Sequence, residues 1–370
     1  MSLPRTSRPM GRRPLPALAL VLTVVAAVLL PVAAGTAAVG DGSGVARTGA
    51  DRVVSHPVRF DLRNLNETSV PCLADGEAYA VRARLVGPRR DVLGQTGSTR
   101  VNVLVHDAGT GSWFWRMPGR PALDYAAALA RRGETSLVLD RLGYDASPLP
   151  DGDATCLGAQ ATMLHQVVQH LRSGRFVFTA GPVGSTPLHA AKVVVHGHGT
   201  GAAIAQLEAA EFTDVDGLVL MSWSDTGATR RALDEAVRQS SACLASAGGY
   251  TAYGASARDF RDLLFSSAPA AVQRAAAERR NAVPCGDVAS LASALGASLA
   301  TTDRIAEPVL LLHGSEDRRF DADSAAAQAD RFSSSPAVAV RTVRGAGSAL
   351  PLEAQSAQVQ RAVLRWLARR

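Results

Sequence analysis

Four glycine-containing loops gather most of the residues in this chain that are able to do chemistry. They are His106-Asp107-Ala108-Gly109-Thr110-Gly111, Gly197-His198-Gly199-Thr200-Gly201, His313-Gly314-Ser315-Glu316-Asp317, and Gly345-Ala346-Gly347-Ser348-Ala349-Leu350-Pro351-Leu352. They supply hydroxyls (Thr200, Ser315, Ser348), imidazoles (His198, with His196 just before it) and carboxylates (Asp107, Asp317). Hydroxyl, imidazole and carboxylate are the reagents of covalent acyl transfer: a nucleophile, a base that titrates near neutrality, and an acid that orients the base. The order along the chain is unfavourable to that chemistry. His313 is the last histidine, so no imidazole follows Asp317. No CxxC and no Cys/His cluster occurs, so neither a zinc centre nor a cofactor is expected.

The loops sit at the ends of short apolar runs. Val101–His106, Ser136–Asp140, Lys192–His196, Gly217–Met221, Val309–His313 and Ala337–Val343 read as strands, and Ala78–Val86 alternates as a half-exposed edge strand would. Between them Leu123–Arg132, Cys156–Leu171, Ala202–Ala210 and Val359–Leu367 have helical spacing. Strands alternating with helices imply a parallel sheet covered on both faces, which explains unbroken runs such as Val193-Val194-Val195. After Trp223 the alternation stops. Arg230–Ala300 is helical in pattern with no convincing strand, after which the strand series resumes.

The four loops, in this order and at the ends of these strands, resemble the α/β-hydrolase family, and within it the secreted esterase- or lipase-like members, over roughly residues 75–368. The resemblance implies an α/β-hydrolase fold: a mostly parallel sheet with helices on both faces and a helical cap inserted between two late strands. Residues 75–226 and 305–370 would form the core, 227–304 the cap, and 39–74 a linker or N-terminal extension. It also assigns positions. In a G-x-S-x-G elbow the serine is the nucleophile; both flanking glycines are kept as Gly197 and Gly201, and Gly199 stands where the serine belongs. Asp317 matches the acid, and Ser348 stands in the histidine position. Backbone N–H groups of Ala108 and Thr200 match the oxyanion donors. Asp107 replaces the glycine usual after the first loop's histidine; a carboxylate turned inward there would oppose developing negative charge. Trp113, Trp115, His198, Trp223 and Asp225 fall where the family lines its substrate cleft, with Asp225 also at an alternative acid position. His165 and His170 lie on a predicted helix and carry no ligand-like partner pattern.

Cys72, Cys156, Cys243 and Cys285 allow three pairings. Placing the first two in the core and the last two in the cap favours Cys72–Cys156 and Cys243–Cys285. Disulfides suit an exported chain, and the beginning of the sequence has the layout of an export signal. Arg5 to Arg13 are basic, Leu15 to Leu30 are apolar, Pro31 breaks the run, and small residues follow to Ala38. A signal peptide over residues 1–38 is expected, the alternative being an uncleaved anchor.

The formal charge is +6, and Arg5, Arg8, Arg12 and Arg13 of the leader carry four of those charges. With no basic run interleaved with aromatics later in the chain, nucleic acid is not an expected partner. Lys192 is the only lysine among 39 Lys and Arg residues, a bias of a GC-rich genome such as an actinobacterial one. The expectation is an exported protein impaired or inactive in serine-hydrolase chemistry that binds a small hydrophobic or acyl ligand or a protein. The alternative is an active ester or lipid hydrolase using non-standard residues. The membrane enters only through an uncleaved N-terminal segment.

Overall fold

The computed structural model describes residues 52–96, 99–181, 186–321 and 323–370. The expected export signal, residues 1–38, and the expected linker up to residue 51 lie outside the described residues. Eleven strands follow in chain order: β1 Val53–Arg63, β2 Ala78–Pro88, β3 Thr99–Val105, β4 Thr135–Leu139, β5 Val177–Phe178, β6 Ala190–His198, β7 Gly217–Met221, β8 Tyr250–Ala252, β9 Ala282–Pro284, β10 Val309–Gly314 and β11 Val338–Val343. Nine of them form one sheet in the order β11-β10-β7-β6-β3-β4-β2-β1-β5. The run from β11 to β4 is parallel, and β4, β2, β1 and β5 pair antiparallel.

The apolar runs have the cause inferred from sequence. Val193 and Val195 point into one packed layer and Val194 into the other; Leu218 and Leu220 are likewise opposed to Val219. One layer holds the helices Leu157–Ser173 and Thr200–Phe212, the other Tyr125–Ala130 and Ser356–Leu367. With both faces covered, hydrophobic burial favours every position of a central strand, not alternate ones.

Three expectations need correction. The segment 39–74, expected as a linker or N-terminal extension, is not linker throughout: it contains β1, whose Val58, Phe60 and Leu62 are buried. It pairs with β2 over the whole length of both strands, so β2 is an interior strand and not an edge. The cap is also not purely helical: β8 and β9 form a small antiparallel pair among its helices. Both strands are three residues long, too short for alternation to signal them.

The cap lies between β7 and β10 in the chain and belongs to the same compact unit as the core. Its helix Leu291–Thr301 packs on Thr200–Phe212. The disulfides are Cys72–Cys156, tying the chain before β2 to the start of helix Leu157–Ser173, and Cys243–Cys285, joining two cap helices. Two disulfides point to an extracytoplasmic compartment. Among the described residues no helix is long and apolar enough to cross a membrane.

Candidate functional site

The parallel strands β3, β6, β7 and β10 all end on one edge of the sheet, and the loops that follow them meet there. This is where open α/β sheets build their sites. The sharpest turn lies between β6 and helix Thr200–Phe212. Gly199 occupies it at φ 52° and ψ −123°, a backbone state that side chains strongly disfavour. Gly197 and Gly201 allow the close approach around it: a Cβ on the first would strike the helix backbone at Ala202, and on the second the carbonyl of Val105 on β3.

Asp107 points inward and is almost fully buried. Its Oδ1 accepts the N–H of Ala108 at 2.8 Å and the N–H of Thr200 at 2.7 Å. The two donors expected to face an oxyanion thus converge on one oxygen, and the chain itself supplies that oxygen. The same carboxylate fills the space above Gly199: a Cβ built on that glycine would collide with Asp107 Cγ and both carboxylate oxygens.

The charge is matched by Arg319, which is also buried and pairs through Nη1 with Asp107 Oδ2. Nη1 also donates to Tyr253 Oη at 3.1 Å, Nε to Ser348 Oγ at 2.9 Å, and Nη2 to the same Oγ. Burial alone would raise the Asp107 carboxyl, but Arg319, His198 and the Thr200 N–H outweigh it and hold it down at about 2. Burial works against the Arg319 charge as well, and Asp107, Tyr253 and Asp317 overcome it, so the guanidinium is held charged.

The imidazoles nearby are committed to structure. His198 lies stacked on Phe114, its ring centroid 4.3 Å away, and Nε2 donates to the Ser348 carbonyl at 2.9 Å. Its Nδ1 therefore carries the lone pair, 3.7 Å from Asp107 Oδ2, and burial pulls its pKa down to about 4. His196 is held between Tyr125 Oη at 3.0 Å and Asn102 Oδ1 at 3.1 Å, with its pKa pushed by burial to about 3. Among the described residues no imidazole pairs with Asp317. Its Oδ1 accepts the Arg319 N–H at 2.8 Å, while Oδ2 is buried with no partner among the described residues, and burial raises its pKa above the ordinary value.

A cavity of about 330 Å³ opens between this cluster and the cap. Asp107, Ala108, Thr200 and Arg319 line its inner end, Trp223, Asp225 and Phe320 one wall, and Leu233, Val283, Val288, Leu291 and Leu295 of the cap the opposite wall. Trp113, Trp115 and His198, expected in the pocket, do not line it. Trp115 and His198 are packed in the core, and Trp113 borders a separate hollow with Ser55 and Arg116. The reason is the short helical turn Ser112–Trp115, which folds the aromatic run back beneath the first loop. Asp225 lies at the cavity wall but is tied up, accepting from Trp223 Nε1 at 2.9 Å, Ser298 Oγ at 3.1 Å and Gln328 Nε2 at 3.2 Å.

Matching against protein-family models aligns residues 103–362 with the Alpha/beta hydrolase family. The chain belongs to the α/β-hydrolase family. Similar solved structures share that fold. An esterase from Thermogutta terrifontis (malate bound) is 20% identical with a TM-score of 0.56, covering 84% of this chain and 98% of its own. A monoacylglycerol lipase from Paleococcus ferrophilus is 17% identical with a TM-score of 0.54, covering 73% and 95%. An esterase from Exiguobacterium antarcticum is 13% identical with a TM-score of 0.56, covering 80% and 98%. No curated protein matches the sequence.

Sequence reasoning missed Arg319 and Tyr253. Arg319 follows Asp317 at an interval of two, but its neighbour Arg318 is exposed and nothing in the sequence tells the two apart. Tyr253 comes from the cap, immediately after β8, whose existence the sequence did not reveal. Among the described residues one cluster of potential metal ligands occurs, and it lies two turns along the helix from Thr200, about 12 Å away.

Proposed function

We propose that this is an exported α/β-hydrolase-family protein that has exchanged serine-hydrolase catalysis for ligand binding. In this reading Gly199 stands at the nucleophile position, Ser348 at the histidine position and Asp317 at that of the acid. The observation that carries it is Asp107 Oδ1, which already accepts both the Ala108 and the Thr200 N–H. An oxyanion hole works because its donors are unpaired until negative charge develops on the substrate. Here a carboxylate anchored by Arg319 takes both donors and blocks the approach of a carbonyl carbon to the turn.

The non-standard alternatives fare poorly on the same geometry. Ser348 Oγ accepts two hydrogen bonds from a cationic guanidinium, which occupy its lone pairs and offer no base. His196 has both nitrogens engaged, and His198 presents its lone pair to Asp107, not to a hydroxyl.

The cavity supports the binding half of the proposal. Its volume suits a small ligand, and its cap wall is largely aliphatic. Leu233, at 52% exposure, and Ala232 and Ala236 of the same cap helix give that wall an apolar face suited to an acyl chain. The inner end is closed by the Asp107–Arg319 pair, which leaves a bound ester no vacant oxyanion donors.

The test combines a fluorophosphonate probe, a panel of acyl esters and thermal shift with fatty acids and acyl esters. No labelling, no turnover above buffer and a saturable stabilisation by medium-chain acyl compounds are expected. Saturable ester cleavage by purified wild-type protein, lost in Thr200→Ala or Ser348→Ala, refutes the reading.

A further inference from the structure

The C-terminal half of helix Thr200–Phe212 carries Glu208, whose side chain is fully buried. Neither Oε1 nor Oε2 has a hydrogen-bond partner among the described residues. A carboxylate in that state is costly, because burial removes water without replacing it. Two further ligand-type residues converge on it from other elements: His165 from helix Leu157–Ser173, and Asp214 from the loop after Thr213 ends the Glu208 helix in a left-handed turn. One donor atom from each of the three lies within 4.8 Å of the other two.

We propose that His165, Glu208 and Asp214 bind a divalent transition-metal ion, with zinc the representative. Glu208 Oε1 and Oε2, Asp214 Oδ1 and His165 Nδ1 are all buried acceptors without a hydrogen-bond partner among the described residues. His165 Nδ1 lies 2.9 Å from Asp214 Oδ2, close enough for both atoms to reach one ion, which in a tetrahedral zinc site would draw them to about 3.3 Å apart. The surroundings hold the ligands in place without competing for them. Phe212 stacks on the His165 ring at 4.1 Å, and Gln169 donates to Asp214 Oδ2. Such outer contacts orient ligands in built metal sites. The nearest cation, Arg172, is spent on the Asp214 carbonyl and the Asp216 carboxylate. Mixed imidazole and carboxylate ligands suit zinc and its neighbours better than magnesium or calcium, which take all-oxygen shells.

Burial and the negative charges of Asp214 and Glu307 hold the Glu208 carboxyl well above its ordinary value, against the opposing charge of Arg172. The ion would clamp helix Leu157–Ser173 to the end of the helix that begins at the elbow. The site does not depend on the fate of the elbow chemistry.

The experiment uses the tag-free full chain after EDTA treatment and dialysis, titrated with zinc chloride by calorimetry, with thermal unfolding in parallel. About one equivalent of zinc should bind saturably and raise Tm, because the ion binds only the folded state. His165→Ala and Asp214→Asn should each weaken binding at least about tenfold, and magnesium chloride should not compete. Cobalt chloride with the wild type should give the visible absorption of an imidazole–carboxylate site, a readout that survives even if one variant folds poorly. Absence of saturable zinc binding together with no cobalt spectrum overturns the proposal. Undiminished zinc binding in both variants overturns it equally, by showing an adventitious ion elsewhere.

Discussion

Helix Thr200–Phe212 has a buried carboxyl at each end, and the two ends treat it in opposite ways. At its start, Asp107 sits on the Thr200 N–H, where the helix dipole favours an anion, and a guanidinium neutralises it. At its other end, Glu208 is buried with both oxygens bare. The first arrangement is complete within the chain and gains nothing from a ligand at those atoms; the second is incomplete and invites a proton or a metal. A polar cluster in a familiar place is therefore no guide to reactivity. What matters is whether its groups still have unmet bonding capacity.

The largest effect expected comes from breaking the completed end. Arg319→Met leaves the Asp107 carboxylate buried without its partner and should cost about 3–5 kcal/mol of stability, measured by urea unfolding. Adding Asp107→Asn should restore much of that loss, since the amide oxygen keeps both backbone N–H bonds and removes the charge. Additive losses in the double variant would mean the two groups are not coupled.

Next is Gly199→Ser. The new Cβ meets the Asp107 carboxylate and forces a side chain onto a positive-φ turn, so a loss of about 2–4 kcal/mol is expected. Asp107→Gly should relieve most of it. For the same reason Gly199→Ser with Ser348→His does not suffice to install esterase activity: the imidazole would enter space filled by Arg319, and the oxyanion donors would remain occupied. Activity toward a short acyl ester should require Asp107→Gly and removal of the Arg319 side chain as well. Turnover by the simple double variant would show that the carboxylate moves aside readily.

The fold was legible because burial on both sheet faces leaves a continuous apolar signature: Gly217–Met221 reads as a strand and is one. Strand β1 escaped because its polar and half-buried positions look like a linker until β2 is known to lie beside it. At the site, the sequence exposed what was absent, a hydroxyl at position 199 and a histidine after Asp317. It also raised Asp107 as an obstacle but could not orient it, since that depends on Arg319 being buried while Arg318 is not. Trp113 and Trp115 were misplaced because a helical turn redirects a run of aromatics without altering its composition. His165 gave no sign of a partner because Glu208 and Asp214 come from other elements.

A smaller effect separates the two ends by pH. The Asp107 carboxyl is depressed from 3.8 to about 2. Below its folded pKa both states are protonated, so its stabilisation is complete above about pH 4 and is lost as pH falls from 4 towards 2. Relative to Asp107→Asn, the wild type should therefore lose about 2 kcal/mol across that window. A constant difference between the two proteins would show that Arg319 does not hold the carboxylate charged.

The smallest effect belongs to Glu208→Gln, and its sign is opposite. The Glu208 pKa is raised, so the folded state holds the proton that the unfolded state releases. Stability should then fall as pH rises above the ordinary glutamate range. In EDTA at pH 4, where wild-type Glu208 is already neutral, the near-isosteric amide should change stability by no more than about 1 kcal/mol. At pH 8 the variant should be the more stable of the two in EDTA, and the order should reverse once zinc is added, because only the carboxylate binds the ion. A wild type that outlasts the variant at pH 8 without metal would mean that Glu208 is satisfied in its own surroundings and that the contrast between the ends of the helix is false.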